Sequence, residues 1–445
     1  MTALSAPVRA TGACRRGPRG RWPVGNSYDY DRDRIGFLRR CQAEYGDIFT
    51  FSPATVFVAD PELIGELFKK SNELYLTEES LFPARHSDQE VSDHLDGWMR
   101  ARGRAWHGMT RNVVRSHGHR VTDLLDERLA SLAGRAFHVV PFMRSYSAKL
   151  SAMFCFGLDN EAVFDAAEQR SGLALPFMDS SLTFPSWLPL PSIKRVQRAE
   201  ARVNAAITEK FRQRKAAPHE TPDDLIDLLL ADDPDMPSED EAINFLTSMI
   251  LASFGSPGAT MAWVIREMAR RPEVRERLRD EALAVIADSG GLVNERSLPY
   301  ADAVTKEVMR LFPPTWLMGR KVRKTCTFGG YTLRPGMDVR FSPYLIHRDP
   351  RYWPDAEEFR PERWLEPTQQ PRFTYFPFGA GPRVCLGMHL GIYQAIVGTA
   401  HIAAHYDIEG LDLHDSDAVA GPVLEPLALR VRMRRTHAGR TVVGA

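Results

Sequence analysis

A single cysteine lies in a run of residue types that could hold a metal cofactor. The run covers residues 378–387 and reads Phe-Gly-Ala-Gly-Pro-Arg-Val-Cys-Leu-Gly, with the cysteine at position 385. A cysteine thiolate is a strong ligand for haem iron, and it donates electron density that favours cleavage of an O–O bond. The flanking glycines let the backbone turn tightly and approach a flat macrocycle. Arg383 can reach a haem propionate, because a planar guanidinium matches the geometry of a carboxylate. We therefore expect Cys385 to be an iron ligand.

A lone cysteine has two simpler interpretations than that of an iron ligand. A free cysteine is most often a small buried hydrophobic residue, and we favour that interpretation for the other four cysteines, Cys14, Cys41, Cys155 and Cys326. Cys385 and His389 also have the spacing of half a zinc site on a helix. A zinc site needs further ligands with short spacings of their own, and the sequence has no C-x-x-C pair or second paired Cys/His group.

The composition is that of a large enzyme with no strong charge bias. The chain has 445 residues, with 57 basic and 57 acidic side chains and an isoelectric point near 7.2. This balance gives no general attraction to nucleic acid. The five cysteines are scattered along the chain, which argues against a disulfide framework and for a reducing compartment.

The first residues are basic and are not typical of a membrane anchor. No stretch reaches the roughly 18 consecutive apolar residues that a membrane span needs. Five arginines and no acid occur near the amino terminus: Arg9, Arg15, Arg16, Arg19 and Arg21. The Arg15-Arg16 pair is not followed by the apolar core of a twin-arginine signal. We predict a disordered basic tail over residues 1–20, a single catalytic domain over residues 21–445, no membrane span and a cytoplasmic location.

Most of the chain has the periodicity of helices. Helical patterns are predicted over 31–46, from 60, and over 98–116, 121–136, 138–157, 192–215 and 239–270, with two more helices after 272. A hairpin is predicted over 48–58, and short strands are predicted around 325–340. Residues 72–96 and the Pro-rich stretch 171–191 are predicted as loops.

The cysteine run resembles the haem-binding loop of the cytochrome P-450 superfamily. It fills every specified position of the family pattern F-G-x-G-x-R-x-C-x-G, and the resemblance extends over about residues 17–435. The resemblance implies a mainly α fold, with a large α-rich lobe and a small β-rich lobe. It also implies that haem b is bound through Cys385, with Phe378 and Arg383 in the cofactor site.

A second signature resembles the part of the family fold that supports the cysteine loop. Glu307 and Arg310 are three residues apart and therefore share one helix face. Together with Pro361-Glu362-Arg363-Trp364, they resemble the K-helix pair and the coil motif of the family. The resemblance implies a buried ionic triad of Glu307, Arg310 and Arg363.

Further residues match family positions around the cofactor. His107 and Arg111 have the H-x-x-x-R spacing of the family's C helix, and Arg320 follows the stretch that passes over the haem. The resemblance implies that these three side chains bind the propionates. It also implies that the stretch 316–318 faces the substrate.

The central helix departs from the family pattern A-G-x-[DE]-T-T. Ala252 matches, but Ser253 replaces the glycine and Gly255 replaces the acid. Ser256 keeps a hydroxyl at the threonine position, while Pro257 removes a backbone donor and should deepen the kink. We predict Ser256 as the catalytic proton relay. The alternatives are a relay through water or a substrate hydroxyl, a different use of oxidant, or a reaction without oxygen insertion.

The resemblance implies monooxygenation of an apolar organic molecule, in secondary metabolism. Electrons would come from NAD(P)H through a separate ferredoxin or flavodoxin with its reductase, and the protein would act as a monomer. Basic residues could receive this acidic partner: Arg104, Arg115 and Arg120.

Two other functions stay open. One is a haem-thiolate enzyme that is not a monooxygenase, such as a peroxygenase, a dehydratase or an oxidative coupling enzyme. The other is a haem-binding protein without turnover.

Overall fold

The structure is a computed structural model that describes most of the chain. The described residues are 17–22, 25–77, 88–178, 190–230, 236–291, 294–366, 370–413 and 418–436. Most of the tail predicted over residues 1–20 lies outside them, as do Cys14 and the apolar loop residues Phe184 and Trp187.

Helices make up most of the described chain, which confirms the mainly α class. In chain order they are α1 (Ser27–Arg32), α2 (Arg34–Tyr45), α3 (Pro61–Lys69), α4 (Asp88–Gly108), α5 (Arg111–Ser116), α6 (His119–Ser131), α7 (Val139–Phe156), α8 (Glu161–Met178), α9 (Pro191–Ala216), α10 (Leu225–Leu230), α11 (Glu239–Ala252), α12 (Ser256–Arg270), α13 (Pro272–Ser289), α14 (Pro299–Leu311), α15 (Pro343–Ile346) and α16 (Met388–His405).

The strands form several small sheets, which account for the predicted β-rich lobe. They are β1 (Ile48–Ser52), β2 (Thr55–Val58), β3 (Tyr75–Leu76), β4 (Ala136–His138), β5 (Met318–Val322), β6 (Cys326–Phe328), β7 (Tyr331–Leu333), β8 (Asp338–Phe341), β9 (Tyr406–Gly410), β10 (Ala418–Ala420), β11 (Leu424–Pro426) and β12 (Arg430–Arg435). The largest sheet has the order β1-β2-β8-β5-β3, and its β2–β8 pair is parallel. The hairpin predicted over 48–58 is β1–β2.

The predicted central helix is interrupted. A capping box of Ser238 and Glu241 starts α11, as the sequence indicates. The helix stops at residues 253–255 and restarts as α12 at Ser256. Pro257 lies in the first turn of α12, where a missing backbone N–H leaves no hydrogen bond unmade. The prediction of one helix over 239–270 was therefore wrong at the point where the sequence departs from the family pattern.

Other boundaries differ from the predictions for local reasons. The loop predicted over 72–96 contains β3 and the first turns of α4, which begins at Asp88 although its sequence is polar. The helix predicted over 98–116 is divided between α4 and α5. The loop predicted over 171–191 begins later, because α8 continues to Met178. The predictions over 138–157 and 192–215 are confirmed by α7 and α9.

One helical stretch has the length and composition that could cross a membrane. It covers Glu239–Arg270, has a mean hydropathy of 1.3 in its most apolar window, and has 61% of that window buried inside the fold. In the described residues α12 packs against α7 and α16, and its side chains from Gly258 to Met268 are buried. An apolar composition is also what a helix in the centre of a protein core requires.

Candidate active site

The cysteine loop is a tight turn that brings Cys385 back to the start of the run. The Cys385 N–H donates to the Phe378 carbonyl at 2.9 Å, and the Gly379 N–H donates to the Phe376 carbonyl at 2.9 Å. Gly379 and Gly381 have φ values of 67° and 71°. A Cβ at Gly381 would lie 2.3 Å from the carbonyl oxygen of Phe68. The loop therefore needs glycine at this position both for its conformation and for its contact with α3.

The Cys385 thiol lies just before a long helix. Gly387 is the N-cap of α16, and Cys385 retains solvent exposure although protein atoms surround much of its side chain. Desolvation by the surrounding protein raises the pKa of the Cys385 thiol, whereas the Gly387 N–H and the charge of Arg102 lower it. A backbone donor, a nearby guanidinium and a helix N-terminus are the features that stabilise a thiolate. Desolvation is the largest of these contributions, so the pKa of the free thiol is raised overall, and a bound cation would be needed to hold Cys385 as a thiolate.

Two of the predicted arginines meet around Thr77. The Arg383 Nη2 donates to Thr77 Oγ1 at 2.7 Å, and the Arg383 guanidinium lies 3.7 Å from the centre of the Trp98 ring. Arg320 is buried on β5, and its Nε donates to Ser71 Oγ at 3.2 Å. Thr77 and Arg320 line the same cavity, which has a volume of about 240 Å³. The structure therefore brings Arg320 and Arg383 to one end of the cysteine loop.

Phe378 closes the other side of the loop. Its ring lies 3.6 Å from where a Cβ at Gly391 would stand, so it packs against the first turn of α16. The Phe378 carbonyl also accepts the Cys385 N–H. Phe378 thus fixes the loop relative to the helix that follows the thiol.

The structure does not bring His107 and Arg111 to the cysteine loop. His107 is exposed at the end of α4. Arg111 begins α5, is 46% exposed and lies 3.7 Å from Glu295 in an ion pair. No described contact joins either side chain to the loop, so their positions do not support the predicted role in propionate binding.

A different pair on α4 reaches the loop instead. Arg102 is buried, donates to the Val384 carbonyl and lies 5.7 Å from the ring centres of both Trp98 and Trp106. Trp98 and Arg102 are four residues apart and share a helix face, as His107 and Arg111 would on an uninterrupted helix. The i, i+4 spacing occurs twice in this basic segment, and the sequence analysis assigned it to His107 and Arg111 and so missed Trp98 and Arg102. The aromatic residue at Trp98 was the signal that could have identified it.

These donors fit a cofactor that combines iron with carboxylates. The loop carries the Cys385 thiol and Arg383, Arg102 of α4 donates to the Val384 carbonyl, and Arg320 of β5 lines the cavity with Thr77, the partner of Arg383. The indole N–H of Trp98 is buried without a hydrogen-bond partner in the described part of the chain, which leaves a donor that a carboxylate oxygen could use. The described residues contain no group of three His, Cys, Asp or Glu side chains that could hold a metal ion. The donor set therefore matches haem better than zinc.

The predicted ionic triad is confirmed and is fully buried. The Glu307 carboxylate accepts two hydrogen bonds from Arg310 at 2.8 and 2.9 Å and one from Arg363 Nε at 3.1 Å. It also accepts the Trp364 indole N–H at 2.8 Å and the Arg360 backbone N–H at 2.9 Å. A buried carboxylate is tolerated when its oxygens are satisfied in this way. The triad joins α14 to the coil that leads to the cysteine loop.

The residue predicted as a proton relay stands at the interruption of the central helix. Ser256 begins α12, is half-buried and accepts the Thr260 hydroxyl at its carbonyl oxygen, 3.1 Å away. Beside it, a Cβ at Gly255 would lie 2.7 Å from Val423 Cγ2. Val423 belongs to the β10–β11 turn and fills the space that a side chain at position 255 would need. A side chain at position 255 would therefore require Val423 or the turn to shift.

Some of the residues predicted to face the substrate line a cavity, and others are buried in the protein core. Leu317 and Met318 line the 240 Å³ cavity together with Arg320. Trp316 is 3% exposed, and its indole N–H donates to the Gly421 carbonyl at 2.7 Å, so it anchors the β10–β11 turn. Phe254 is buried and stacks on Phe164 with ring centres 6.0 Å apart. Hydrogen bonding and core packing account for both buried aromatics.

The basic residues predicted to receive a redox partner are largely engaged within the chain. Arg115 donates to both carboxylate oxygens of Glu295 at 2.6 and 2.7 Å. Arg120 is buried and lies 3.3 Å from Asp223. A paired or buried guanidinium contributes little to long-range attraction. Arg115 and Arg120 are therefore already paired within the chain, and their role in receiving a redox partner stays a prediction.

Comparison with known proteins identifies the family. The family model for cytochrome P450 matches residues 16–422 of the chain. The structure is similar to that of a retinoic acid-bound cyanobacterial protein, CYP120A1, with a TM-score of 0.79 and 22% identity, covering 96% of this chain and 100% of that one. This chain belongs to the cytochrome P450 family. The family, the fold and the enzyme class of an oxidoreductase, predicted from the cysteine loop, are thus confirmed.

The sequence is also similar to parts of enzymes with named products. It is 30% identical to salviol synthase of Salvia pomifera over 262 residues, which cover 55% of this chain and 52% of that enzyme. It is 31% identical to cyclooctatin synthase of Streptomyces melanosporofaciens over 226 residues, which cover 49% of each chain. The chain thus aligns with about half the length of these relatives.

Proposed function

We propose that this protein is a haem-thiolate monooxygenase that inserts one oxygen atom from O2 into an apolar organic substrate. The observation that carries the proposal is the Cys385 thiol, placed before α16 and beside the Gly387 N–H and Arg102. Haem b bound at this cysteine would supply the redox chemistry that activates O2. NAD(P)H would supply electrons through a ferredoxin or flavodoxin and its reductase, as is general for the family.

The side chains of this site have distinct tasks in the proposed reaction. Cys385 would hold the iron as a thiolate, while Arg102, Arg320 and Arg383 would bind the carboxylates at the edge of the cofactor. Leu317 and Met318 would supply the apolar contacts to the substrate in a cavity whose remaining lining is mostly charged and polar, including Arg320, Lys321 and Asp338.

The names of the two synthases support a role in the synthesis of a particular organic compound, in secondary metabolism. A cytoplasmic location and a monomeric state complete the proposal.

The cysteine assignment is tested by the spectrum of the reduced protein with carbon monoxide. The unsubstituted protein should show the red-shifted absorbance of thiolate-bound haem, and Cys385→Ala should abolish it. Cys155→Ala is the matched control, because Cys155 is buried in α7 as an ordinary core residue. If Cys385→Ala keeps the red-shifted absorbance, another residue is the ligand.

Ser256 would deliver protons to the reacting oxygen. Its hydroxyl lies at the helix interruption, where the acid of the family pattern is replaced by Gly255. General acid catalysis by a positioned group contributes about 10²–10⁴-fold. Ser256→Ala should therefore uncouple the enzyme, so that NAD(P)H is still consumed while hydrogen peroxide replaces product. Unchanged coupling in this variant would assign the relay to water or to the substrate.

One observation favours a second function, a haem-thiolate enzyme that uses peroxide directly. Val423 occupies the space at Gly255 where an acid would stand, so this turn presents the hydroxyls of Ser253 and Ser256 but no carboxylic acid. An enzyme supplied with hydrogen peroxide does not need protons to activate O2. Product formation with peroxide but not with O2 and a reductase system would favour this second function. Dependence on O2 and NAD(P)H would favour the first.

A further inference from the structure

His347 is a buried histidine that the proposed reaction does not use. It follows α15 and has no solvent exposure. Its Nε2 accepts the backbone N–H of Phe376 at 3.0 Å, and its Nδ1 makes no well-aligned hydrogen bond in the described residues, although the Met309 and Arg310 carbonyls lie near the ring. Phe376 lies just before the cysteine loop. The imidazole therefore contacts the segment that enters the haem-binding turn.

The backbone of His347 is attached to the ionic triad. Arg310 Nη1 donates to the His347 carbonyl at 2.8 Å, while Arg310 Nε and Nη2 bind Glu307. The two ends of the histidine thus join different parts of the protein. Its carbonyl is fixed by the triad, and its ring is fixed to Phe376.

Two backbone hydrogen bonds connect Phe376 to the backbone of Cys385. The Phe376 carbonyl accepts the Gly379 N–H at 2.9 Å, and the Phe378 carbonyl accepts the Cys385 N–H at 2.9 Å. The Phe376 ring packs edge-on against His347 and Phe68, with ring centres 5.2 and 5.4 Å apart. A shift of Phe376 would therefore move both ends of the turn that presents Cys385.

We propose that His347 is a positioning residue that holds the cysteine loop in place by accepting the Phe376 N–H through an uncharged ring. The proposal rests on the proposed role of Cys385 as the iron ligand. An imidazolium has two donors and no acceptor, so it would face the Phe376 N–H with another N–H.

The surroundings of His347 keep its ring neutral. Burial and the neighbouring Arg310 charge lower the pKa of His347 to about 3, although the carbonyls of Met309 and Arg310 act in the opposite direction. The ring is also enclosed by Tyr375, whose ring centre is 5.1 Å away. The acceptor at Nε2 is thus available at neutral pH.

The test compares variants that keep or remove this acceptor. His347→Gln places an amide oxygen near the position of Nε2, whereas His347→Leu fills the volume without an acceptor. The readout is the ratio of thiolate-bound to other haem in the reduced protein with carbon monoxide, followed during mild heating. A buried N–H left without a partner shifts such an equilibrium by roughly 5- to 150-fold. We expect this loss in His347→Leu and substantial recovery in His347→Gln.

Tyr375→Phe is the matched control. Tyr375 packs against the same histidine, and its hydroxyl donates to the Lys306 carbonyl at 3.2 Å. The Tyr375→Phe variant should have a lower free energy of unfolding but an unchanged ratio of thiolate-bound to other haem. A wild-type ratio and heating rate in His347→Leu would overturn the proposal, and so would a ratio in His347→Gln as low as in His347→Leu. Absence of the thiolate absorbance in the unsubstituted protein would instead refute the Cys385 assignment.

If His347→Leu binds no haem, the unsubstituted holoenzyme decides the question. Nitrogen NMR of the reduced, carbon monoxide-bound protein labelled at histidine distinguishes the two ring nitrogens. The proposal requires a neutral imidazole with its proton on Nδ1 and an unprotonated Nε2. A proton on Nε2 of His347 would overturn it.

Discussion

The contact between Gly255 and Val423 can be tested with a single methyl group. A Cβ at Gly255 would lie 2.7 Å from Val423 Cγ2 and 3.8 Å from Val423 Cβ. The first distance is an overlap, and the second is an ordinary van der Waals contact. The valine cannot easily turn away, because a β-branched side chain is stiff at χ1. We expect Gly255→Ala to lower the free energy of unfolding by about 1–3 kcal/mol, as overpacking usually does.

The double substitution separates this overlap from other effects of alanine at a helix N-cap. Val423 is half-buried, so Val423→Ala alone should cost about 1 kcal/mol for its two methyl groups. In the double variant the overlap disappears, because only the contact with the Cβ at 3.8 Å remains. The N-cap effect is present with and without Val423, so it cancels in the cycle. The coupling between the two sites should be about 1–2 kcal/mol in favour of the double variant.

The assay is urea unfolding of the holoenzyme, followed by circular dichroism and by haem absorbance. Gly103→Ala is the control, since a Cβ at this α4 position would meet no atom within 4 Å. It should gain about 0.5–1 kcal/mol, as expected for alanine in a helix interior. A coupling between Gly255→Ala and Val423→Ala below about 0.3 kcal/mol would show that Val423 does not exclude a side chain from position 255.

Three further predictions concern the cofactor site and the fold. Arg102→Gln should weaken haem retention by roughly 10- to 100-fold, because a charge-assisted hydrogen bond is lost. Arg111→Gln should retain haem as the unsubstituted protein does. Equal retention by the two variants would contradict the assignment of Arg102 to the cofactor site. Glu307→Ala leaves two buried guanidiniums without their carboxylate and should cost about 3–5 kcal/mol, measured as the yield of folded holoenzyme. Burial alone would raise the pKa of Asp126, but hydrogen bonds and charges from His401 and its neighbours lower it from 3.8 to about 2. The lowered pKa contributes about 2 kcal/mol to the free energy of unfolding. This contribution is present at neutral pH and is lost as the pH falls from about 4 towards 2. Asp126→Asn should remove this part of the pH dependence of stability, measured by unfolding at a series of acidic pH values.

The cysteine loop could be predicted because its chemistry is local. Cys385, Arg383 and Phe378 lie in one short run, and the turn that joins them requires glycine wherever it occurs. The triad was also predictable, since a buried Glu307 needs cationic partners and Arg310 and Arg363 lie in recognisable segments. Helices such as α7 and α9 were found because their periodic patterns are long.

The remaining features depend on contacts between distant segments. Trp98 with Arg102 and His107 with Arg111 have the same spacing, and only the packing of α4 shows which turn meets the loop. The contact at the interruption of the central helix joins Gly255 to Val423, which is far from it in the sequence. Trp316 could be taken for a substrate contact until its hydrogen bond to Gly421 was seen. No local pattern contains this information.

The ion pairs of Arg115 and Arg120 have a consequence for electron delivery. A free surface arginine attracts an acidic protein over about one Debye length, near 8 Å at physiological ionic strength. The charges of Arg115 and Arg120 are already compensated by Glu295 and Asp223. These two residues therefore add little to the long-range field that guides a partner to the surface. We expect the paired substitution of Arg115→Gln with Glu295→Gln to change the salt dependence of the electron-transfer rate little, because it removes two charges that already compensate each other.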